Sequence, residues 1–274
     1  MNPYCLDPGQ IREQALQVRR RVLEMNNRAR QGHTGADLGQ ADILCSLYFR
    51  ILDCAPDRVD DPHRDRFIQS KGHGAGGLYC VLAQAGYIPC EELDTYLAFN
   101  SRLPGHPVRQ KCPGIELNTG ALGHGLAVGV GLALAAKMHK SSYKVFVLTG
   151  DGELQEGSNW EAALCASRYG LDNLVIINDR NGLQLAGKTE SIMPLGNLEE
   201  KWRAFGCNVA AVDGNDPAAL VSLMEGLDAN GGKPHVIIAH TVKGKGVSFI
   251  ENSPPWHHKV PTDQEKELAL SELV

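Results

Sequence analysis

The chain has 274 residues, 43% apolar and 22% charged, which suits a soluble globular protein with a sizeable core. A net charge of −5 gives no reason to expect nucleic acid or an anionic membrane as partner. No apolar run approaches the roughly 20 residues that span a bilayer, and the opening MNPYCLDPGQ lacks a signal-peptide pattern, so a cytoplasmic location is expected.

In chain order, residues 10–30 predict a helix, with Ile11, Leu16, Val18, Val22 and Leu23 on its apolar face and arginines opposite. The Gly-rich RQGHTGADLGQADIL leads into a helix from about Asp37 to Leu52. RDRFIQSKGHGAGGLYCVLAQAGY predicts a short strand, a bend and a helix ending at Gly86. PCEELDTYLAF predicts a helix with Pro89 near its first turn, and SRLPGHPVRQKCPGIEL a loop. GALGHGLAVGVGLALAAKM predicts a helix of small residues suited to close backbone packing.

The second half alternates more regularly. KVFVLT is a continuous apolar run and predicts a buried parallel strand. SNWEAALCASRY predicts a helix opened by a Ser158–Glu161 capping box. Then follow the strand NLVIIN, the helix LEEKWRAF ending at Gly206, the strand NVAAVDG, the helix DPAALVSLMEGLDA and the strand HVIIAHT. VPTDQEKELALSELV reads as a terminal helix or as disorder. The fold class expected is α/β, a mostly parallel sheet with helices on both faces. There is no repeat, low-complexity tract or linker, so residues 1–274 are expected to form a single domain. The eight cysteines are scattered without a C-x-x-C pair and are expected to be reduced core residues.

LTGDGELQEGSNWEAA places a carboxylate, Asp151, between Gly150 and Gly152 where a strand ends. A tight turn would use the same residues. Open parallel sheets, however, bind ligands at the carboxyl ends of their strands. Asn181 and Gly182, in NDRNGL, stand at that end of the next strand, close to Asp151 if the two strands are adjacent. Carboxylate, amide and backbone carbonyl oxygens suit Mg2+ or Ca2+, above all when the ion also holds a diphosphate. The glycines allow close backbone approach to phosphates.

The pattern resembles the thiamine-diphosphate binding signature of many thiamine-dependent enzymes. That resemblance implies Asp151, Asn181 and the Leu183 carbonyl as metal ligands, with Gly152 at the diphosphate. Six of the ten histidines lie in polar or Gly/Pro-rich loops, which suggests a shared cleft for sugar hydroxyls and proton transfer. QGHTGADLGQADIL, RDRFIQSKGHG, LPGHP, NTGALGHGLAVGVGLALAAK, GDGELQEG and NDRNGLQLAG resemble, in this order, the amino-terminal half of transketolase. The resemblance covers about residues 10–260.

It implies His33 and His257 near the reactive thiazolium carbon, His73 at diphosphate and substrate, and His106 at the donor's hydroxyls. Gly120, Leu122, Gly150 and Glu153 join the cofactor wall, and Glu156 a proton network between two cofactor sites. Lys71, His124 and His258 depart from the long-chain pattern and resemble the split, two-subunit transketolases. Lys71 and His124 are placed in loops facing the cofactor, although His124 also fits a helix-start residue bonded to backbone. Either His257 or His258 reaches the substrate. His63, His139, His235 and His240 are left as structural or surface residues.

The pyrimidine-binding and C-terminal domains are expected on a partner chain in an α2β2 heterotetramer. The function expected is transfer of a two-carbon ketol group from a ketose phosphate to an aldose in carbohydrate metabolism. The alternatives are a specialised two-carbon transferase acting on apulose phosphate, a sulfo-sugar or a natural-product donor; the α chain of a 2-oxoacid dehydrogenase; and a catalytically silent homologue.

Overall fold

The computed structural model describes residues 2–185, 187–228 and 230–274. Helix α1 (Pro8–Ala29) opens with Pro8 in its first turn and a reciprocal Asp7–Gln10 capping box, and ends where Arg30 turns left-handed. It is followed by α2 (Thr34–Gly39), α3 (Ala41–Ser46), β1 (Arg66–Gln69), α4 (Ala75–Gln84) and α5 (His124–Met138). Next come β2 (Val145–Gly150), α6 (Gly157–Arg168), β3 (Leu174–Arg180) and a small antiparallel hairpin of β4 (Leu183–Gln184) and β5 (Gly187–Lys188). The chain closes with α7 (Thr189–Ile192), α8 (Leu198–Ala204), β6 (Asn208–Asp213), α9 (Pro217–Glu225), β7 (His235–His240) and α10 (Asp263–Glu272).

The main sheet has the order β1-β2-β3-β7-β6, with every neighbouring pair parallel. Alternation along its strands fills two cores. Phe146, Leu148, Val175, Ile177 and Ile237 face a layer that includes α1, α3, α4 and α9. Val145, Val147, Leu174, Ile176 and Ile238 face α5, α6 and α8. The α/β class with helices on both faces is therefore observed. Its consequence for the site is that β1, β2, β3 and β7 all point their carboxyl ends the same way.

Several local expectations are corrected. The helix expected from Asp37 starts at Thr34, breaks after Gly39 and ends in a π turn over Leu47–Ile51. PCEELDTYLAF is not an α-helix but a 3-10 turn over Cys90–Thr95, and Leu97 at φ 60° cannot continue a right-handed helix. The small-residue helix begins only at His124, because Gly120 and Gly123 adopt positive φ.

The Ser158–Glu161 capping box does not form; the Ser158 hydroxyl donates instead to the Gly123 carbonyl at 2.8 Å, tying the start of α6 to that of α5. The helix read through Ala229 ends at Glu225, and Ala229 lies outside the described residues. The last segment is a helix, fixed by a Thr262–Glu265 capping box. The cysteines are free, and five of the eight are buried. Among the described residues no helix is long and apolar enough to cross a membrane.

Candidate active site

At the carboxyl edge of the sheet, β1 runs into Lys71 and His73, β2 into Asp151 and Gly152, and β3 into Asn181 and Leu183. Past β7 comes Lys243. Opposite that edge stand His33 at the start of α2, the 106–122 loop, and a 3-10 turn over Pro254–His257. Between them lies a cavity of about 380 Å3. It is lined by His33, His73, His106 and His257, by Gly120 and Leu122, by Gly150 through Glu153, and by Asn181 and Leu183. Lys71 and His258 also line it. His124 does not: it starts α5, is exposed, and its Nδ1 lies 3.1 Å from the Leu122 carbonyl, so of its two readings the helix-start one holds. Glu156 is exposed on this chain at the head of α6, outside the cavity wall.

The histidines form one cluster. The His33 ring centroid is 5.5 Å from His73, 5.6 Å from His257, 6.1 Å from His106 and 4.7 Å from His258. Burial, then the neighbouring His258, pushes His33 down to about 4. Burial and the Lys243 ammonium push His257 down to about 3. His73 is held well below its ordinary value by burial and Lys71, and burial lowers His106. All four imidazoles are therefore neutral near pH 7, the form that accepts a proton from a hydroxyl or offers a lone pair.

The candidate oxygen ligands sit in the turns after β2 and β3. Asp151 Oδ2 accepts the Gly182 N–H at 2.5 Å, and Oδ1 accepts Arg180 Nη1 at 2.9 Å. Burial raises Asp151, with Arg180 working against that rise. Asn181 Oδ1 accepts the Leu183 N–H at 3.1 Å, so these residues share one tight turn. Behind them Lys71 and Asp179, 1% exposed each, form a buried ion pair, and Thr241 also donates to Asp179. Burial alone would raise Asp179, but the Lys71 ammonium holds it below the ordinary carboxylate range. Glu153 is buried too; it accepts the N–H groups of Gly123 at 3.0 Å and Gly150 at 3.1 Å and the Ser70 hydroxyl. It thus ties the Gly-Asp-Gly turn to the 120–123 loop. Gly72 is required by close approach, since a Cβ there would lie 2.7 Å from the Gly120 nitrogen.

A family model described as the transketolase, thiamine diphosphate binding domain, matches residues 11–269. The chain belongs to the transketolase family. It is 58% identical over 274 residues to an apulose-4-phosphate transketolase subunit from Actinobacillus succinogenes, covering 100% of this chain and 99% of that one. The protein of the same name from Phocaeicola vulgatus is 48% identical over 255 residues, 93% of this chain and 90% of that one. Among solved structures, transketolase from Leishmania mexicana superposes with a TM-score of 0.90 at 30% identity, over 96% of this chain and 41% of that one. The chain thus spans about two fifths of that solved transketolase.

The transketolase domain binds thiamine diphosphate, and the residues at the cavity suit it. A carboxylate, an amide oxygen and a backbone carbonyl are ligands for a hard cation. A guanidinium already rests on Asp151, so the carboxylate attracts positive charge here. Lys71 also lines the cavity, its charge balanced by Asp179. Sequence reasoning missed Lys243, which is 3% exposed and has its Nζ 2.7 Å from His257 Nδ1. Burial and Lys71 lower Lys243 to about 8. The strand-end rule that selected Asp151 also points to Lys243, just beyond β7. Sequence reasoning missed equally that Arg180 spans Asp151 and Glu190, anchoring the segment around α7 to the Asp151 turn.

Proposed function

We propose that the chain is the diphosphate- and metal-binding subunit of a split transketolase, moving a two-carbon ketol group from a ketose phosphate to an aldose. The observation that carries this reading is the meeting, in one cavity, of four neutral histidines with the oxygen set of Asp151 and Asn181. When bound, thiamine diphosphate supplies the nucleophilic carbon and electron sink that ketol transfer requires. The chain holds it through Mg2+ on Asp151, Asn181 and the Leu183 carbonyl, with Ca2+ as a chemically equivalent occupant. Gly120, Leu122, Gly150, Gly152 and Glu153 shape the wall against it.

His33 and His257 take and return protons at the donor and acceptor hydroxyls, and Lys243 orients the His257 ring through Nδ1. His73 stands between diphosphate and substrate, and His106 bonds the donor's head hydroxyls. His258 shares the substrate end with His257. The pyrimidine-binding and C-terminal domains belong to a partner chain, a reading supported by the relatives, each of which is named as one subunit of its enzyme. The assembly is an α2β2 heterotetramer in the cytoplasm. Glu156, exposed on this chain, joins the proton network between the two cofactor sites.

Within the family the donor is apulose 4-phosphate, since both of these relatives are named for it. Donor competition on the reconstituted complex tests this. Apulose 4-phosphate should have the highest kcat/KM, ahead of xylulose 5-phosphate and 6-deoxy-6-sulfofructose. Preference for xylulose 5-phosphate would overturn the donor assignment alone. Release of CO2 from pyruvate, without ketol transfer, would overturn the reaction class.

A further inference from the structure

The imidazoles of His33, His257 and His258 offer ligand nitrogens that all lie within 4.8 Å of one another. This set is chemically unlike the oxygen set on Asp151 and Asn181. Neutral imidazole suits Zn2+ and its late first-row neighbours, whereas carboxylate and carbonyl oxygens suit Mg2+ and Ca2+. The His33 Nδ1 is buried without a hydrogen-bond partner, a lone pair or N–H aimed at nothing. His258 is exposed just past the Pro254–His257 turn, with its ring centroid 4.7 Å from that of His33 and 4.8 Å from that of His257.

From this geometry we propose that His33, His257 and His258 form a three-histidine Zn2+ site at the substrate end of the cavity, separate from the oxygen-ligand site. Zn2+–nitrogen bonds are about 2.0–2.1 Å, so the rings must close by small side-chain rotations, and a fourth position stays open to water or a sugar hydroxyl. His257 Nδ1 is occupied by Lys243, so its Nε2 takes the metal. Coordination there puts the ring proton on Nδ1, which donates to Lys243 as an uncharged amine, and the ammonium proton leaves to solvent. The site goes beyond the ketol-transfer reading and does not rest on it. Its consequence for catalysis is reversible inhibition by zinc, because the metal engages histidines that would otherwise face the sugar.

Calorimetric titration of the untagged full chain with ZnCl2, under excess MgCl2 at neutral pH, is the test, with CoCl2 absorption reporting tetrahedral coordination. A single equivalent should bind, and Mg2+ should not displace it. Loss of an outer-shell partner alone costs about 10–100-fold in metal affinity, so His258→Ala should weaken binding by at least about tenfold. His63→Ala, at an exposed histidine remote from the cavity, and Asp151→Asn should leave it unchanged. Absence of saturable binding would overturn the proposal. So would equal affinity in His258→Ala, or loss of binding in Asp151→Asn, which would place the zinc on the oxygen ligands.

Discussion

His106 is an exposed residue of the cavity lining, its ring 6.1 Å from that of His33. In His106→Ala, the loss of one donor–acceptor pair to the sugar costs about 1–3 kcal/mol, or about 5–150-fold. That loss should appear in kcat/KM for the donor while thiamine diphosphate affinity is spared; an equal loss of cofactor affinity would place His106 in a structural role. Asp151→Asn removes the charge and keeps one oxygen to accept the Gly182 N–H, while its amide NH2 cannot accept from Arg180. Mg2+-dependent cofactor binding, measured by calorimetry, should weaken by more than about tenfold, with circular dichroism unchanged. These residues were legible in the sequence because glycines and histidines in loops have few structural uses and their spacing marks strand ends. Lys243 was not, because a loop lysine is ordinarily solvated. Its burial arises only when the distant Trp256–His257 turn folds back against α2, where a Cβ on Gly35 would come within 3.0 Å of the Trp256 carbonyl.

Helix α2 is buried along its whole length, including Asp37. That carboxylate accepts the Gly77 N–H at 2.9 Å and the Asn26 amide at 3.2 Å, and burial raises it to about 7. The native state therefore holds a proton that the unfolded chain has already released above about 4. Stability from this group is full below the unfolded value and is lost as pH rises through about 7. Asp37→Asn removes that loss, and a flipped Asn26, whose Oδ1 has no partner, would accept the new amide. Chemical denaturation should show little change near pH 4 and a gain above pH 7, worth about 1.4 kcal/mol for each unit of displacement realised. A variant equally destabilised at both ends would contradict the assignment. The strands were legible because buried parallel strands are uniformly apolar, whereas helix limits were set by distant contacts. Gly125 and Gly129 show why: added Cβ atoms would meet Ser70 and Val147, so these glycines serve packing of α5 onto the sheet. Ala127, Val128 and Gly131 occupy the outer face instead.

Helices α5 and α6 pack together, and Val128, Met138 and Leu164 on them and Tyr169 just past α6 are exposed; exposed apolar side chains of this kind suit self-association. Val128→Asp should shift sedimentation toward the monomer without loss of secondary structure; an unchanged sedimentation coefficient would remove this face from the interface. Strand–helix alternation along the chain made the parallel sheet legible, but not the order β1-β2-β3-β7-β6. That order depends on which edge each crossover takes, and no local pattern encodes it. The histidines nonetheless converge as the motifs implied, because His73 follows β1 at that sheet edge while the start of α2, the 106–122 loop and the Pro254–His257 turn stand opposite it. The most direct test of the account is a ketol-transfer assay on this chain alone and with its partner chain, using apulose 4-phosphate and an aldose acceptor. Turnover should be negligible for the chain alone and full, and thiamine-diphosphate-dependent, when the two are combined. Full turnover by the isolated chain, or none after reconstitution with cofactor and Mg2+, would contradict it.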